Sequence, residues 1–287
     1  MAARAFRALL AVLALHLGDA SPVVGGFFAA DDGAALLQTR ARGERKDNCI
    51  IHYHIGKTAG TSIKAWFRSH GMKTCDWNGH RIDNTSLSQK CLHAADFYSG
   101  HWGIGLREFL AGQGMTRNCY EFTVLRNPMD RTASKLFYAF SNETMDFYIN
   151  EMRRAFVSNQ TPASSEQLIN HMCRQFSGKT HTFDEFSPHY ADDWRSKCDL
   201  KLAMAALRSM DFVGFVEDLD RVLQFLASVS WVHATPGSET AYRDNPSGNP
   251  GARRLPKELQ DLILSANDVD MQLYEWARHQ ANLGQSQ

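Results

Sequence analysis

Two stretches of the chain share one pattern: a short β-type run, a loop of small and polar residues, then apolar positions at helical spacing. Cys49–His54 reads Cys-Ile-Ile-His-Tyr-His, and Ile55-Gly56-Lys57-Thr58-Ala59-Gly60 follows. Thr61–His70 then carries Ile63, Trp66 and Phe67 on one helical face, with Thr61 or Ser62 near its start. The second unit opens with the strand Tyr120–Leu125 and passes through Arg126-Asn127-Pro128-Met129-Asp130 into a helix bearing Leu136, Phe137 and Phe140. Pro128 fits the first turn of that helix, where its missing N–H does no harm. Helical periodicity recurs around 144–157, 165–176 and 191–208. Phe212–Val216 reads as a strand, Leu219–Leu226 as a helix, 235–251 as a loop and Pro256–Ala281 as one last amphipathic helix. Strands alternating with helices predict an α/β fold, a central parallel sheet with helices on both faces. The expectation is one domain over 48–281, with 282–287 a tail and no internal repeat.

The N-terminus bears on the compartment. Arg4 and Arg7 precede an apolar stretch from Ala8 to Leu17, then Gly18-Asp19-Ala20-Ser21. A basic flank, a short apolar core and small residues at 18 and 20 predict a secretory signal over 1–20, cut after Ala20. A buried helix start or a signal-anchor are the rivals, although Asp19 and Asp31-Asp32 end the apolar run early. Residues 21–47 read as a linker or stem. Acceptor sites for N-glycosylation stand at Asn84, Asn142 and Asn159, while Pro246 excludes Asn245.

Composition narrows the function classes. The 287 residues are 44% hydrophobic and carry 31 Lys+Arg against 31 Asp+Glu, a net charge of zero. Non-specific nucleic-acid coating needs a basic excess that is absent, so no nucleic-acid partner is expected. No apolar run approaches the ~20 residues of a bilayer span, so no stable membrane span is expected.

Gly56-Lys57-Thr58-Ala59-Gly60-Thr61-Ser62 joins a strand to a helix, where free backbone N–H groups and the helix dipole favour an anion. Lys57 adds a point charge, and Thr58, Thr61 and Ser62 add hydroxyl donors. An ordinary βα turn with a solvated lysine is the bland alternative. Ile51 stands where a Walker A motif needs its first glycine, so this is not that motif. At the end of the second strand, Arg126 offers a guanidinium fork to a phosphate, and Ser134, eight residues on, adds a hydroxyl. A surface arginine paired with Asp130 is the alternative there. Together the two sites suit the two phosphate-bearing ends of one nucleotide across adjacent strand ends.

These motifs resemble a known family. His54-Ile-Gly-Lys-Thr-Ala-Gly-Thr-Ser62 is similar to the 5′-phosphosulfate loop of the Golgi carbohydrate sulfotransferases, and Leu125-Arg-Asn-Pro-Met-Asp-Arg131 with Ser134 to their 3′-phosphate motif. The likeness, to heparan sulfate 2-O- and 6-O-sulfotransferases, spans about 49–280. It extends weakly through Asn170–Gly178, Phe212–Glu217 and the final helix around Asp270 and Tyr274. Gly56 replaces the Pro or Gln usual before the lysine. The resemblance implies a P-loop-type three-layer fold and 3′-phosphoadenosine 5′-phosphosulfate (PAPS) as sulfuryl donor, with no metal. It also implies a glycan or other hydroxyl-bearing acceptor and a Golgi-lumenal or secreted enzyme. Gly56, Lys57, Thr58, Ala59, Gly60, Thr61, Ser62, Arg126 and Ser134 would hold the donor, and Lys57 would stabilise the leaving oxygen.

Sulfuryl transfer to a hydroxyl also needs a base. His101, in Ser99-Gly100-His101 just after the β-type Phe97-Tyr98, is expected at the same sheet edge as both loops and resembles the Gly-His of the 2-O branch. His93 is the runner-up, since Leu92-His93-Ala94-Ala95-Asp96 echoes the 6-O branch. Two other functions compete: a P-loop kinase, disfavoured by the missing glycine, and a secreted glycan-binding protein that has lost turnover.

Six cysteines, at 49, 75, 91, 119, 173 and 198, show no metal spacing and favour disulfides. Cys49 and Cys119 each stand just before a predicted strand that delivers a phosphate loop at its other end. Parallel neighbouring strands lie about 4.8 Å apart, within disulfide reach. The expected pairing is Cys49–Cys119, leaving Cys75–Cys91 and Cys173–Cys198; reduced, buried cysteines are the alternative.

Overall fold

The computed structural model describes residues 48–77, 91–141, 143–157, 168–177, 198–229 and 252–283, apart from 92, 102, 103, 113 and 116. The expected signal, the stem and all three glycosylation sites lie outside the described residues, as does the loop 235–251.

Five parallel strands form one sheet: β1 (Asn48–Tyr53), β2 (Thr74–Trp77), β3 (Phe97–Gly100), β4 (Asn118–Leu125) and β5 (Phe212–Phe215), in the order β2-β3-β1-β4-β5. The predicted parallel α/β sheet is therefore present. Strand β2 escapes the sequence pattern because Thr-Cys-Asp-Trp is short and half polar. Helix α1 (Gly60–Ser69) follows β1, α2 (Leu106–Gly112) follows β3, and α3 (Pro128–Ala139) and α4 (Met145–Val157) follow β4. Then come α5 (His171–Phe176), α6 (Leu200–Ser209), α7 (Leu219–Ser228), α8 (Lys257–Ala266) and α9 (Asp268–Leu283).

Alternation along the strands divides the core. Cys49, Ile51 and Tyr53 pack with Tyr98, Val213 and Phe215 against α5, α6 and α9. Ile50 packs with Phe97, Phe122 and Phe212 against Ile63, Trp66 and Phe67 of α1 and Val222, Leu223 and Leu226 of α7. Helices cover both faces, the arrangement that parallel strands with near-continuous apolar runs require. A third cluster joins α3, α4 and α8.

Two expectations need correction. The single helix predicted over 256–281 is two, α8 and α9, broken at Asn267. The Asn267 side chain donates to the carbonyls of Leu168 and Ile263 and accepts from the Asn170 N–H, while the Asn170 amide oxygen caps Val269 and Asp270. This exchange of side-chain caps replaces the helical turn. Cys49 and Cys119, moreover, lie inside β1 and β4 rather than before them. They stand directly opposite in register and form a disulfide with Cα atoms 4.5 Å apart. Cys75–Cys91 and Cys173–Cys198 are also joined, so the expected pairing is the one present.

Candidate active site

In a parallel sheet every strand delivers its following loop to one edge, and ligands bind outside the carboxyl ends. The register sets Tyr53 opposite Gly100 and Leu125 opposite Phe215, so the segments beginning at His54, His101, Arg126 and Val216 emerge together. Lys57, His101 and Arg126, far apart in sequence, thus meet. His93 does not: it is exposed and lies before the amino end of β3, away from that edge.

The loop after β1 is held in a conformation side-chain-bearing residues seldom adopt. Lys57 (φ 72°) and Ala59 (φ 63°) are both left-handed, flanking Thr58. Such residues cost on the order of 1–3 kcal/mol each, and a curl of this kind turns backbone N–H groups toward an anion. Thr58 is fully buried, and its hydroxyl donates to the Ile55 carbonyl at 2.9 Å. Its hydroxyl therefore builds the loop, a different use from the donation to the anion expected of it. Gly60 opens α1 with the His54 ring pressed against it. A Cβ there would lie 2.0 Å from His54 Nε2. Thr61 is exposed at the helix start, Ser62 is buried one residue on, and Gly56 is buried.

Arg126 crosses from β4 to this loop, donating from Nη1 to the Lys57 carbonyl at 3.2 Å. It forms no ion pair with Asp130, whose carboxylate instead accepts from the Ala252 N–H at 3.2 Å. Asn127 caps α3 by accepting from the Met129 N–H, and its own N–H donates to Glu217 at 2.9 Å, fixing the turn that carries Arg126. Ser134 is buried in the second turn of α3.

Positive charge accumulates here. Burial lowers the Arg126 pKa, partly offset by Asp130 and Glu217. Burial and the Arg126 charge lower that of Lys57. On α3, burial lowers Lys135, with Arg131 and Lys57 adding to the effect. Burial brings fully enclosed Arg131 down to about 10, although Asp270 pulls the other way. Each cation resists deprotonation less than in water, and a bound anion would restore it. These residues fit a phosphate-bearing donor.

Three imidazoles stack beside the cations. His52 and His54 ring centroids are 5.4 Å apart, and those of His54 and His101 are 4.4 Å apart. Burial, then the charge of Lys64 and of His101, pulls His52 down to about 3. Burial, followed by His101, likewise drives His54 well below its ordinary value. Both are neutral at physiological pH. Nδ1 of His101 lies 2.9 Å from the His54 carbonyl, which also accepts from Gln175 Nε2 at 3.3 Å. A carbonyl only accepts, so Nδ1 carries the proton and, whenever the ring is uncharged, its lone pair is on Nε2. That is the tautomer of a base. Sequence reading gave no role to His54, although it opens the loop motif, or to Gln175, which lies within the weaker likeness over Asn170–Gly178.

A loop with two left-handed residues, a crossing arginine and a tautomer-fixed histidine meet at the carboxyl edge of an α/β sheet, and they form the candidate site. The model of the sulfotransferase family matches residues 45–277, covering every strand and the whole of this edge. The chain belongs to the sulfotransferase family. No curated protein matches it at a significant level. Sulfuryl transfer to an acceptor is thus the family's chemistry, and among the described residues no helix is long and apolar enough to cross a membrane.

Proposed function

We propose that the protein transfers a sulfuryl group from PAPS to a hydroxyl of a carbohydrate, in the lumen of the secretory pathway. The observation that supports this most is the meeting of Lys57, Arg126 and His101 at one sheet edge, with Arg126 bonded to the loop that carries Lys57. PAPS supplies an activated sulfuryl group on a phosphate leaving group. Arg126 and Ser134 grip the 3′-phosphate, and the loop Gly56–Ser62 receives the 5′-phosphosulfate end. His101 takes the acceptor proton at Nε2, and Lys57 faces the charge that develops on the bridging oxygen. Three disulfides suit an oxidising lumen.

Incubation with radiolabelled PAPS and a panel of glycans tests the activity; label on none of them rejects a carbohydrate acceptor. Calorimetry tests the donor site. Adenosine 3′,5′-bisphosphate should bind more tightly than AMP. Arg126→Ala should weaken the bisphosphate by about tenfold or more, the ~1.5–3 kcal/mol of a charge-assisted contact. Equal affinity for the two nucleotides in the unaltered protein rejects PAPS.

A further inference from the structure

Lys57 has a partner that the phosphate motifs do not supply. Its ammonium lies 4.0 Å from the centroid of the Tyr138 ring, on α3, and Lys135 Nζ approaches the same ring at 5.8 Å. Tyr138 is 66% exposed, too open to serve the core. Among the described residues no carboxylate forms an ion pair with Lys57; Arg126 and Lys135 are the charged groups beside it.

We propose that Tyr138 is a positioning residue that holds the Lys57 ammonium over its ring, at the mouth of the anion loop. The inference rests on the role given to Lys57 above. A lysine side chain has four flexible torsions and, unlike arginine, no planar fork to fix its direction. The left-handed backbone at Lys57 sets where the chain starts but not where the ammonium ends. A carboxylate could anchor it, yet would cancel the charge and repel an incoming phosphosulfate. An aromatic face attracts the cation through its quadrupole and leaves the full positive charge in place. The ring also joins the two phosphate segments, since Lys57 follows β1 and Tyr138 lies one helical turn past Ser134.

Tyr138→Phe and Tyr138→Leu separate the ring from mere cover, because both are apolar and only Phe offers a π face. With donor and acceptor saturating, Leu should lower turnover about five- to thirtyfold and Phe should stay within about twofold of the unaltered protein. Affinity for adenosine 3′,5′-bisphosphate should change less than threefold in either. A second measurement needs no turnover: acetylation of the Lys57 amine by acetic anhydride, followed by mass spectrometry across pH. The ring favours the ammonium, so Lys57 should become reactive at lower pH in Tyr138→Leu than in Tyr138→Phe. Identical labelling profiles for the two variants overturn the proposal. If the unaltered protein shows no sulfuryl transfer, the labelling still decides Tyr138, and the functional reading is what fails.

Discussion

The two ends of the central strands are built on opposite principles. Toward the amino ends, charges are matched. Arg107 of α2 pairs with Glu121 at 2.8 Å and lies 3.8 Å from Asp211, while also donating to the Cys119 carbonyl. Glu121 further accepts from the Tyr53 hydroxyl, and its N–H donates to Asp211, all beside the Cys49–Cys119 disulfide. At the carboxyl ends, Lys57, Arg126, Lys135 and Arg131 press together, and two residues of the loop are left-handed. One end pairs its cations with carboxylates directly; at the other, four cations lie side by side.

The strongest break in that contrast is chemical. His101→Ala should lower turnover roughly 10²–10⁴-fold with nucleotide binding nearly unchanged, because a base acts on the acceptor side. His93→Ala, at the other edge, should leave steady-state rates near those of the unaltered protein; the reverse pattern would move the base to His93. The opposite end should respond in stability alone. Arg107→Met removes the cation beside Glu121 and Asp211, which are 12% and 2% exposed. A loss of about 3 kcal/mol is expected, a fall in Tm of roughly 6–12 °C by calorimetry, with turnover per folded molecule unchanged.

Gly60→Ala probes the close contact between the loop and the His54 ring. The new methyl must displace the His54 ring, which lies on His101, so stability should drop by about 1–3 kcal/mol and turnover should fall with it. Truncating the ring in Gly60→Ala/His54→Ala should recover part of the stability in denaturant melts; no recovery would mean that the clash is absorbed elsewhere.

The last contrast is in pH. His52 and His54 have folded pKa values below the unfolded ~6.5, so the unfolded state binds more protons as pH falls below that value. Their contribution to stability is full above about pH 6.5 and is lost progressively on acidification, at roughly 1.4 kcal/mol per pH unit for each ring. His52→Phe keeps the stacking on Phe122 and removes one such group. Denaturant melts from pH 7 to 5 should show a shallower slope for the variant, and parallel slopes would place the charged ring in the folded state.

Much of this was legible because the β-type runs and the helical repeats after them are local signals. Both phosphate segments and His101 could be placed on strand ends, and parallel strands then had to bring them together. What stayed hidden depends on contacts between distant segments. The break at Asn267 exists because Leu168 and Asn170 stand across from it. Thr58 looked like a donor to an anion until the loop folded its hydroxyl back onto Ile55. His54 opens the loop motif but the motif gives its ring no role, and Tyr138 carries no motif; their contacts come from Gly60 and from Lys57, six and 81 residues away.

The two shorter disulfides have a consequence for how the protein comes apart. Cys75–Cys91 encloses Arg81 and Lys90, and Cys173–Cys198 encloses Arg174, Lys179, Arg195 and Lys197. A single tryptic cut after any one of these residues opens a covalent ring without releasing a fragment. A chain nicked once in either ring would stay in one piece until a reductant is added, so an undivided band on a non-reducing gel does not exclude such a nick.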